Sequence, residues 1–118
     1  MADAGLFIGW SGAVRGREQQ SLQVFGEAVA YWASLEEDGK LESSEVVLLG
    51  PHGGDLGGFM LLRGSAEQMG AIQLEEEFRR IVVRGNLIVE GFGIVPAVLE
   101  DGVGPQMQLF QEQLAELT

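Results

Sequence analysis

Three short stretches of the chain are apolar at every position, and they constrain the fold more than any other feature. The stretches cover residues 46–49, 59–62 and 87–89. Successive side chains of a β-strand point to opposite faces of a sheet, so a strand with one solvated face alternates apolar and polar residues. These stretches do not alternate. They predict a sheet in which both faces are covered.

Periodicity and turn residues divide the chain into strands and helices. Helices are indicated by apolar residues at steps of three and four, as at Leu22 and Phe25. Ser65 and Gln68 form a capping box that begins the second helix, which either runs unbroken or divides in two near Leu74. The predicted elements are a strand at 6–10, a helix at 18–38, strands at 45–50 and 58–64, a helix at 65–84, a strand at 86–95 and a helix at 105–117. This β-α-β-β-α-β order with an added C-terminal helix predicts an α+β, ferredoxin-like domain with an antiparallel sheet.

The whole chain, residues 1–118, is predicted to be one domain, with its core at about 5–102. Both helices of such a fold pack on one face of the sheet. Because the strands are apolar on both faces, another layer must cover the second face. Either the C-terminal helix covers part of it, or a second copy of the chain does. We expect the second copy, and therefore a homodimer whose two sheets face each other.

Charge and composition exclude several classes of partner. The chain has 18 Asp and Glu against 7 Lys and Arg, a formal net charge of −11, so it would repel nucleic acids and anionic membrane surfaces. It has no apolar run long enough to span a membrane. It also has no cysteine and one histidine, which makes a zinc or iron site within one chain unexpected. We expect a cytoplasmic protein with no cofactor, no metal and no nucleic-acid or membrane partner.

Two segments carry a resemblance to known proteins. The stretch YWASLEEDGKLESSEVVLLGP (31–51) and the ending EGFGIVPAVLEDG (90–102), with the order of elements, resemble the dimeric α/β-barrel superfamily. YCII-related proteins are the nearest member, with antibiotic-biosynthesis monooxygenases and EthD-like proteins as relatives. The resemblance implies a two-sheet dimer with a pocket between sheet and helices in each subunit. The YCII-related pattern also implies a helix histidine paired with an aspartate, but Ala28 stands near that position, so this acid–base pair is not carried over.

The segment GPHGGDLGG, residues 50–58, holds the densest group of glycines and the only histidine. A phosphate-binding P-loop requires a lysine after its last glycine, where Phe59 stands, and the glycines lack the spacing of a dinucleotide-binding motif. Both motifs also require a following helix, whereas a strand is predicted here. The segment is therefore predicted to be a hairpin loop. His52 is predicted to be an exposed turn residue; its alternative is a general acid or base at a pocket mouth, oriented by Asp55.

Glu90 is the carboxylate with the clearest relation to the predicted pocket. In a regular strand over residues 86–95, it shares a sheet face with Ile88 and Phe92. A carboxylate buried on that face needs a cationic partner, and Arg63, at the end of a neighbouring apolar run, is the expected one. The alternatives are a functional acid, a structural ion pair or an exposed position at a strand end.

Two hypotheses of function follow. In the first, the chain binds a small apolar or aromatic molecule, or acts on one as a cofactor-independent enzyme. Its pocket is then lined by Trp10, Arg63, Glu90 and Phe92, with Glu90 and His52 as candidate catalytic groups. In the second, the chain is a non-catalytic homodimeric structural or interaction domain with a filled or vestigial pocket, which the lack of a nucleophile–base pair favours. We expect the first, and an open apolar cavity near Glu90 and Trp10 would discriminate between them.

Overall fold

In the computed structural model, which describes residues 2–118, four strands form one antiparallel sheet. They are β1 (Ala4–Trp10), β3 (Ser43–Leu48), β4 (Gly58–Gly64) and β6 (Gly93–Val98). Their order across the sheet is β3-β4-β1-β6, and every neighbouring pair is antiparallel. Beyond the end of β1, two short strands, β2 (Gly12–Ala13) and β5 (Val89–Glu90), pair with each other. One strand thus separates the two strands of each β-α-β unit, which is the ferredoxin-like arrangement.

Three helices, α1 (Glu18–Glu37), α2 (Ala66–Ile72) and α3 (Glu76–Ile88), pack on one face of this sheet. We call it the inner face. Alternate strand residues point towards these helices, and β4 alternates buried and partly exposed positions along its whole length. The core between the layers consists of Leu6, Ile8, Ala28, Trp32, Leu35, Leu41, Met60, Leu62, Met69, Ile72, Phe78 and Ile81.

Two helix ends follow directly from the sequence. Gly39 adopts a φ of 74° after α1, and its N–H donates to the carbonyl oxygen of Glu36. The next N–H, that of Lys40, reaches back to Leu35, which completes a glycine-dependent helix stop. Ser65 begins α2 with the predicted capping box: its hydroxyl accepts from the N–H of Gln68, whose side chain accepts from Ser65 in return.

The opposite face of the sheet, which we call the outer face, is apolar and uncovered. Its strand residues include the stacked pair Phe7 and Phe59, whose ring centroids lie 4.8 Å apart, together with Leu61 and Val95. The remaining helix, α4 (Val103–Leu117), leaves this face open, since all of its residues are exposed. The interpretation in which α4 covers the second face is therefore wrong for the single chain.

The predicted long strand over residues 86–95 is wrong. Helix α3 continues to Ile88 through Gly85, where the prediction ended it. Gly85 is buried, and a Cβ on it would lie 3.0 Å from the ring of Phe92, so this glycine permits close packing and does not end the helix. The chain then turns at Gly91, with a φ of 65°, which separates β5 from β6. The second predicted helix divides in two near Leu74, as one of the two interpretations had it.

Pro96 lies within β6, which is an edge strand that pairs only with β1. Proline has no N–H to donate, and an edge strand tolerates it because one side of the strand is unpaired. No helix among residues 2–118 is long and apolar enough to cross a membrane.

Candidate functional site

A cavity of about 280 Å³ lies between the inner face and helices α1 and α3. It opens at a rim where Leu22 and Leu48 are each 69% exposed. Both tryptophans of the chain line it. The full lining is Ile8, Trp10, Ala13, Ser21, Leu22, Val24, Phe25, Ala28, Trp32, Leu48, Met60, Ile81, Val82, Gly85, Ile88, Val89, Phe92 and Ile94.

Small residues on the two helices line this space. Ala28 on α1 and Gly85 on α3 both line the cavity and are both buried. Their neighbours on the same helix faces, such as Trp32 and Ile81, are large and pack into the core. Of the two, Ala28 leaves space in the wall, whereas the position next to Gly85 is taken by the ring of Phe92, which would lie 3.0 Å from a Cβ there.

Two polar groups of the wall, the hydroxyl of Ser21 and the indole N–H of Trp32, have partners within the protein. The hydroxyl of Ser21 lies 3.0 Å from the carbonyl oxygen of Ile88, which ties α1 to the end of α3. The indole N–H of Trp32 donates to the sulfur of Met60 at 3.0 Å. Trp10 meets Phe25 edge to face, with ring centroids 6.3 Å apart, and so has a fixed orientation at the wall.

No titratable side chain belongs to the lining that the described residues form. The wall thus offers aromatic and aliphatic surface, but no carboxylate, amine or imidazole that could move a proton or hold an ion. In the described part of the chain, no three His, Asp or Glu side chains are close enough together to hold a metal. This arrangement suits a neutral, apolar molecule.

Two of the four predicted pocket residues, Trp10 and Phe92, line the cavity. Glu90 does not, and its side chain is exposed. The predicted sheet face shared by Ile88, Glu90 and Phe92 is wrong, because Ile88 is helical and the chain turns at Gly91. The contribution of Glu90 near the site is its backbone oxygen, which accepts from the N–H of Ser11 at 2.7 Å.

Arg63 lies on the outer face and is therefore on the wrong side of the sheet for this cavity. Its guanidinium pairs with Glu45 on the neighbouring strand at 2.9 Å, so the predicted pairing with Glu90 is also wrong. The reason is the strand alternation: Arg63 follows Leu62, which points inward and is fully buried.

His52 is exposed in the glycine-rich loop, as predicted. Its ring braces the loop: Nδ1 accepts from the N–H of Gly54 at 3.1 Å, and Nε2 lies 2.7 Å from the carbonyl oxygen of Leu56. Backbone groups thus orient the imidazole, and Asp55 does not. His52 is absent from the cavity wall.

The structure also has a polar cluster of Tyr31, Lys40 and Glu75, which the sequence did not indicate. The hydroxyl of Tyr31 donates to Glu75 at 3.0 Å, and the Lys40 ammonium lies 3.0 Å from the other carboxylate oxygen. Burial, and then the adjacent Glu75 carboxylate, raise the pKa of Tyr31 to about 12. The hydrogen bond from Lys40 lowers the pKa of Glu75. The cluster ties α1 to the segment before α3 and takes no part in the cavity.

The sequence predicted a pocket between sheet and helices but not most of its wall, because the lining residues of α1 and α3 follow the helix periodicity that is also typical of core packing. The available signal was the presence of small residues, Ala28 and Gly85, on otherwise large apolar helix faces.

Comparison with known proteins identifies the fold. No protein-family model and no curated protein sequence matches the chain. A dimeric ferredoxin-like protein of unknown function from Thermobifida fusca is similar in structure, with a TM-score of 0.63, 14% identity, and coverage of 84% of this chain and 93% of that one. A hydroxynitrile lyase from Passiflora edulis has a TM-score of 0.64 at 8% identity, with coverage of 85% of this chain and 95% of that one. A provisionally assigned antibiotic biosynthesis monooxygenase from Chloroflexus aurantiacus has a TM-score of 0.54 at 17% identity, with coverage of 84% of this chain and 95% of that one.

These similarities confirm the α+β, ferredoxin-like fold. Their described activities differ, so they do not assign one to this chain.

Proposed function

We propose that this chain is a homodimeric small-molecule-binding protein whose cavity takes a neutral apolar or aromatic molecule. The observation that carries the proposal is the open cavity of about 280 Å³ with an uncharged wall next to Trp10. The relationship to YCII-related proteins, the cytoplasmic location and the lack of a cofactor remain predictions within this proposal.

The volume indicates the size of the ligand. An apolar cavity of about 150 Å³ in another protein admits benzene. This cavity is about twice as large and so suits a ligand of roughly two fused rings. The aromatic wall, with Trp10, Trp32 and Phe92, favours a ligand with a flat ring system.

The wall also determines which ligands are excluded. A carboxylate placed here would lose its water without gaining a cation, which costs several kcal/mol. A neutral molecule of the same shape has no such cost. We expect a neutral ligand to bind at least about 100-fold more tightly than its carboxylate analogue, a difference of about 2.7 kcal/mol.

The wall supports binding more than catalysis by side chains. General acid–base chemistry needs a titratable group within hydrogen-bonding reach of the substrate. Glu90 and His52, the two candidates from the sequence, do not line the cavity. An enzyme using this cavity would therefore depend on the reactivity of its substrate.

The dimer is the second part of the proposal. The outer face presents Phe7, Phe59, Leu61 and Val95 with no helix over them. Contiguous exposed apolar surfaces of this kind mark interaction sites. The similar protein from Thermobifida fusca is described as dimeric. We propose that two copies of this chain pair through their outer faces.

Isothermal titration calorimetry with 2-naphthol and 2-naphthoate at pH 7 tests the ligand class. We expect saturable binding of the neutral 2-naphthol, at a micromolar to millimolar dissociation constant, and much weaker binding of the anion. Equal binding of both compounds would contradict the proposal, as would no binding of either.

A matched pair of variants locates the binding. Ala28→Leu fills part of the cavity and should weaken 2-naphthol binding at least about tenfold, because the added methyl groups take the space of the ligand. Ala30→Leu makes the same change two residues further along α1, at an exposed position, and should leave binding unchanged. Equal effects of the two variants would place the ligand elsewhere.

A further inference from the structure

Helix α4 carries an apolar stripe with a strict seven-residue spacing. Its members, at alternating steps of four and three, are Val103, Met107, Phe110, Leu114 and Leu117. These are the a and d positions of a heptad repeat, the pattern by which two helices pack along a narrow seam. The positions that flank the seam within α4 are Gly104, Gln106, Gln111 and Gln113.

Among residues 2–118, no other part of the chain buries this stripe. Phe110 is 62% exposed and Leu117 is 85% exposed, and every residue of the helix is exposed. The radius of gyration is 16.2 Å, compared with roughly 13.5 Å for a compact chain of this length. Helix α4 therefore projects from the domain with its apolar side uncovered.

The start of α4 is nevertheless held in place. The N–H of Gly102 donates to Leu99 at 2.8 Å, and a Cβ on Gly102 would lie 2.6 Å from the carbonyl oxygen of Asp3. Leu99 itself packs over Gly5 on the outer face. The anchored turn thus connects the outer face directly to the projecting helix.

We propose that α4 pairs along this stripe with α4 of a second copy of the chain. A helix that packs on a sheet or in a globular core has an apolar stripe that includes flanking e or g positions. In α4 these positions are three glutamines and a glycine, none with an apolar side chain, so the stripe is too narrow for the outer face of a sheet. It has the width of a helix-to-helix seam, and a two-fold pair presents the same stripe from both copies.

The charge distribution permits this pairing between two acidic chains. The net charge is −11, and two copies therefore repel each other overall. Along the seam, however, the flanking residues Gln106, Gln111 and Gln113 are uncharged, and the glutamates of α4, Glu112 and Glu116, lie off the seam. The side of α4 with the apolar stripe is thus the side on which a second copy meets no repulsion.

The pair extends the dimer and does not replace the outer-face contact. Fifteen residues form a helix of about 22 Å, and an isolated helix of this length is marginal in water. A stable interface buries at least about 1,200 Å², more than so short a pair supplies. The anchored turn at Gly102 makes the seam continuous with the outer face. The α4 pairing is independent of the ligand cavity, and the experiments that test it measure dimer formation and not ligand binding.

The first test compares two glutamate variants of α4 by sedimentation equilibrium over a range of concentrations. Leu114→Glu places a charge in the seam and should raise the dimer dissociation constant at least about tenfold. Leu109→Glu makes the same substitution on the same helix, at an exposed leucine off the seam, and should change it less than about threefold. Equal effects, or a wild-type chain that stays monomeric, would overturn the pairing.

The second test uses the absence of cysteine from the chain. Phe110→Cys and Leu114→Cys proteins are oxidised mildly, each alone and as an equal mixture. If the two helices are parallel, each variant should form a disulfide-linked dimer with itself. If they are antiparallel about the point between these positions, the disulfide should join the two different variants in the mixture. Leu109→Cys controls for random collision. If the seam variants link no better than Leu109→Cys, α4 docks elsewhere and the proposal is overturned.

Discussion

Leu61 and Leu62 are neighbours on one strand, yet their surroundings differ completely. Leu62 points to the inner face and has 0% of its surface exposed, whereas Leu61 points to the outer face and remains partly exposed. Both faces of the sheet are apolar, but only the inner one has helices over it. An apolar strand therefore shows that a covering layer is needed, while the rest of the chain decides whether it supplies that layer.

The two faces also differ in what they leave available. On the inner face, α1 and α3 cover the sheet incompletely and leave a cavity against it. On the outer face, no helix among residues 2–118 lies over the phenylalanine pair, which is partly exposed. We relate the first to ligand binding and the second to pairing of two chains.

The largest expected effect comes from truncating each leucine in turn. Leu62→Ala should lower the free energy of unfolding by about 3–4 kcal/mol, since it removes a fully buried side chain. Leu61→Ala should cost about 1–2 kcal/mol at protein concentrations too low for dimers, because solvent already reaches part of that side chain. Urea denaturation followed by circular dichroism measures both. Similar losses in the two variants would remove the distinction between the faces.

The outer face is tested next by a charge placed on it. Phe59→Glu should raise the dimer dissociation constant at least about 100-fold, equivalent to about 2.7 kcal/mol, because pairing would then bury an unpaired carboxylate. Static light scattering across concentrations measures the change. Leu74→Glu adds the same charge at a leucine that is 79% exposed and on neither face, and it should leave the dimer intact. A dimer that tolerates Phe59→Glu would place the interface elsewhere.

A smaller effect concerns α1, which covers the inner face. Gly39→Ala should lower the free energy of unfolding by about 1 kcal/mol, because alanine is disfavoured at a φ of 74°. Gly26→Ala, at an exposed position inside the same helix with open space around it, should instead raise it by up to about 1 kcal/mol. Thermal unfolding of the two variants gives the signs. A shift of the same sign in both would contradict the role assigned to Gly39.

The smallest effect is the titration of Tyr31, which ties α1 to the segment before α3. Its pKa is about 12, above the ordinary 10.0, so its contribution to stability is complete below pH 10 and is lost as the pH rises towards 12. Tyr31 is the only tyrosine, so absorbance at 295 nm reports its ionisation directly. Glu75→Gln should lower the midpoint only in part, because burial is the larger cause. A midpoint near 10 in the folded wild type would contradict the buried cluster.

Most of the fold could be predicted, because local signals and packing agree along most of the chain. The capping box at Ser65 and the helix stop at Gly39 depend on hydrogen bonds between residues close in sequence, so the local residue pattern is enough to predict them. The end of α3 could not be predicted in this way. Gly85 resembles a helix stop, but its role is to let the ring of Phe92 approach, and that contact depends on the tertiary fold.

The site was only partly predictable for a related reason. Trp10 and Phe92 lie near strand ends, where a pocket was expected, and both line the cavity. The side-chain directions of Glu90 and Arg63 depended on strand bounds and register. Residues 86–88 are helical and not part of a strand, so Glu90 does not lie on its predicted sheet face. Strand alternation places Arg63 on the outer face, where it pairs with Glu45.

The central claim is that the inner-face cavity binds a neutral apolar molecule, and the two tryptophans offer the most direct test. Trp10 and Trp32 are the only tryptophans, and both line the cavity. The emission of the wild-type protein is measured during titration with 2-phenylethanol and with phenylacetate, a neutral and charged pair of flat aromatic compounds that is transparent at the exciting wavelength. We predict a saturable change with the alcohol and little change with the carboxylate. An unchanged emission with both compounds, or an equal response to both, would contradict the claim.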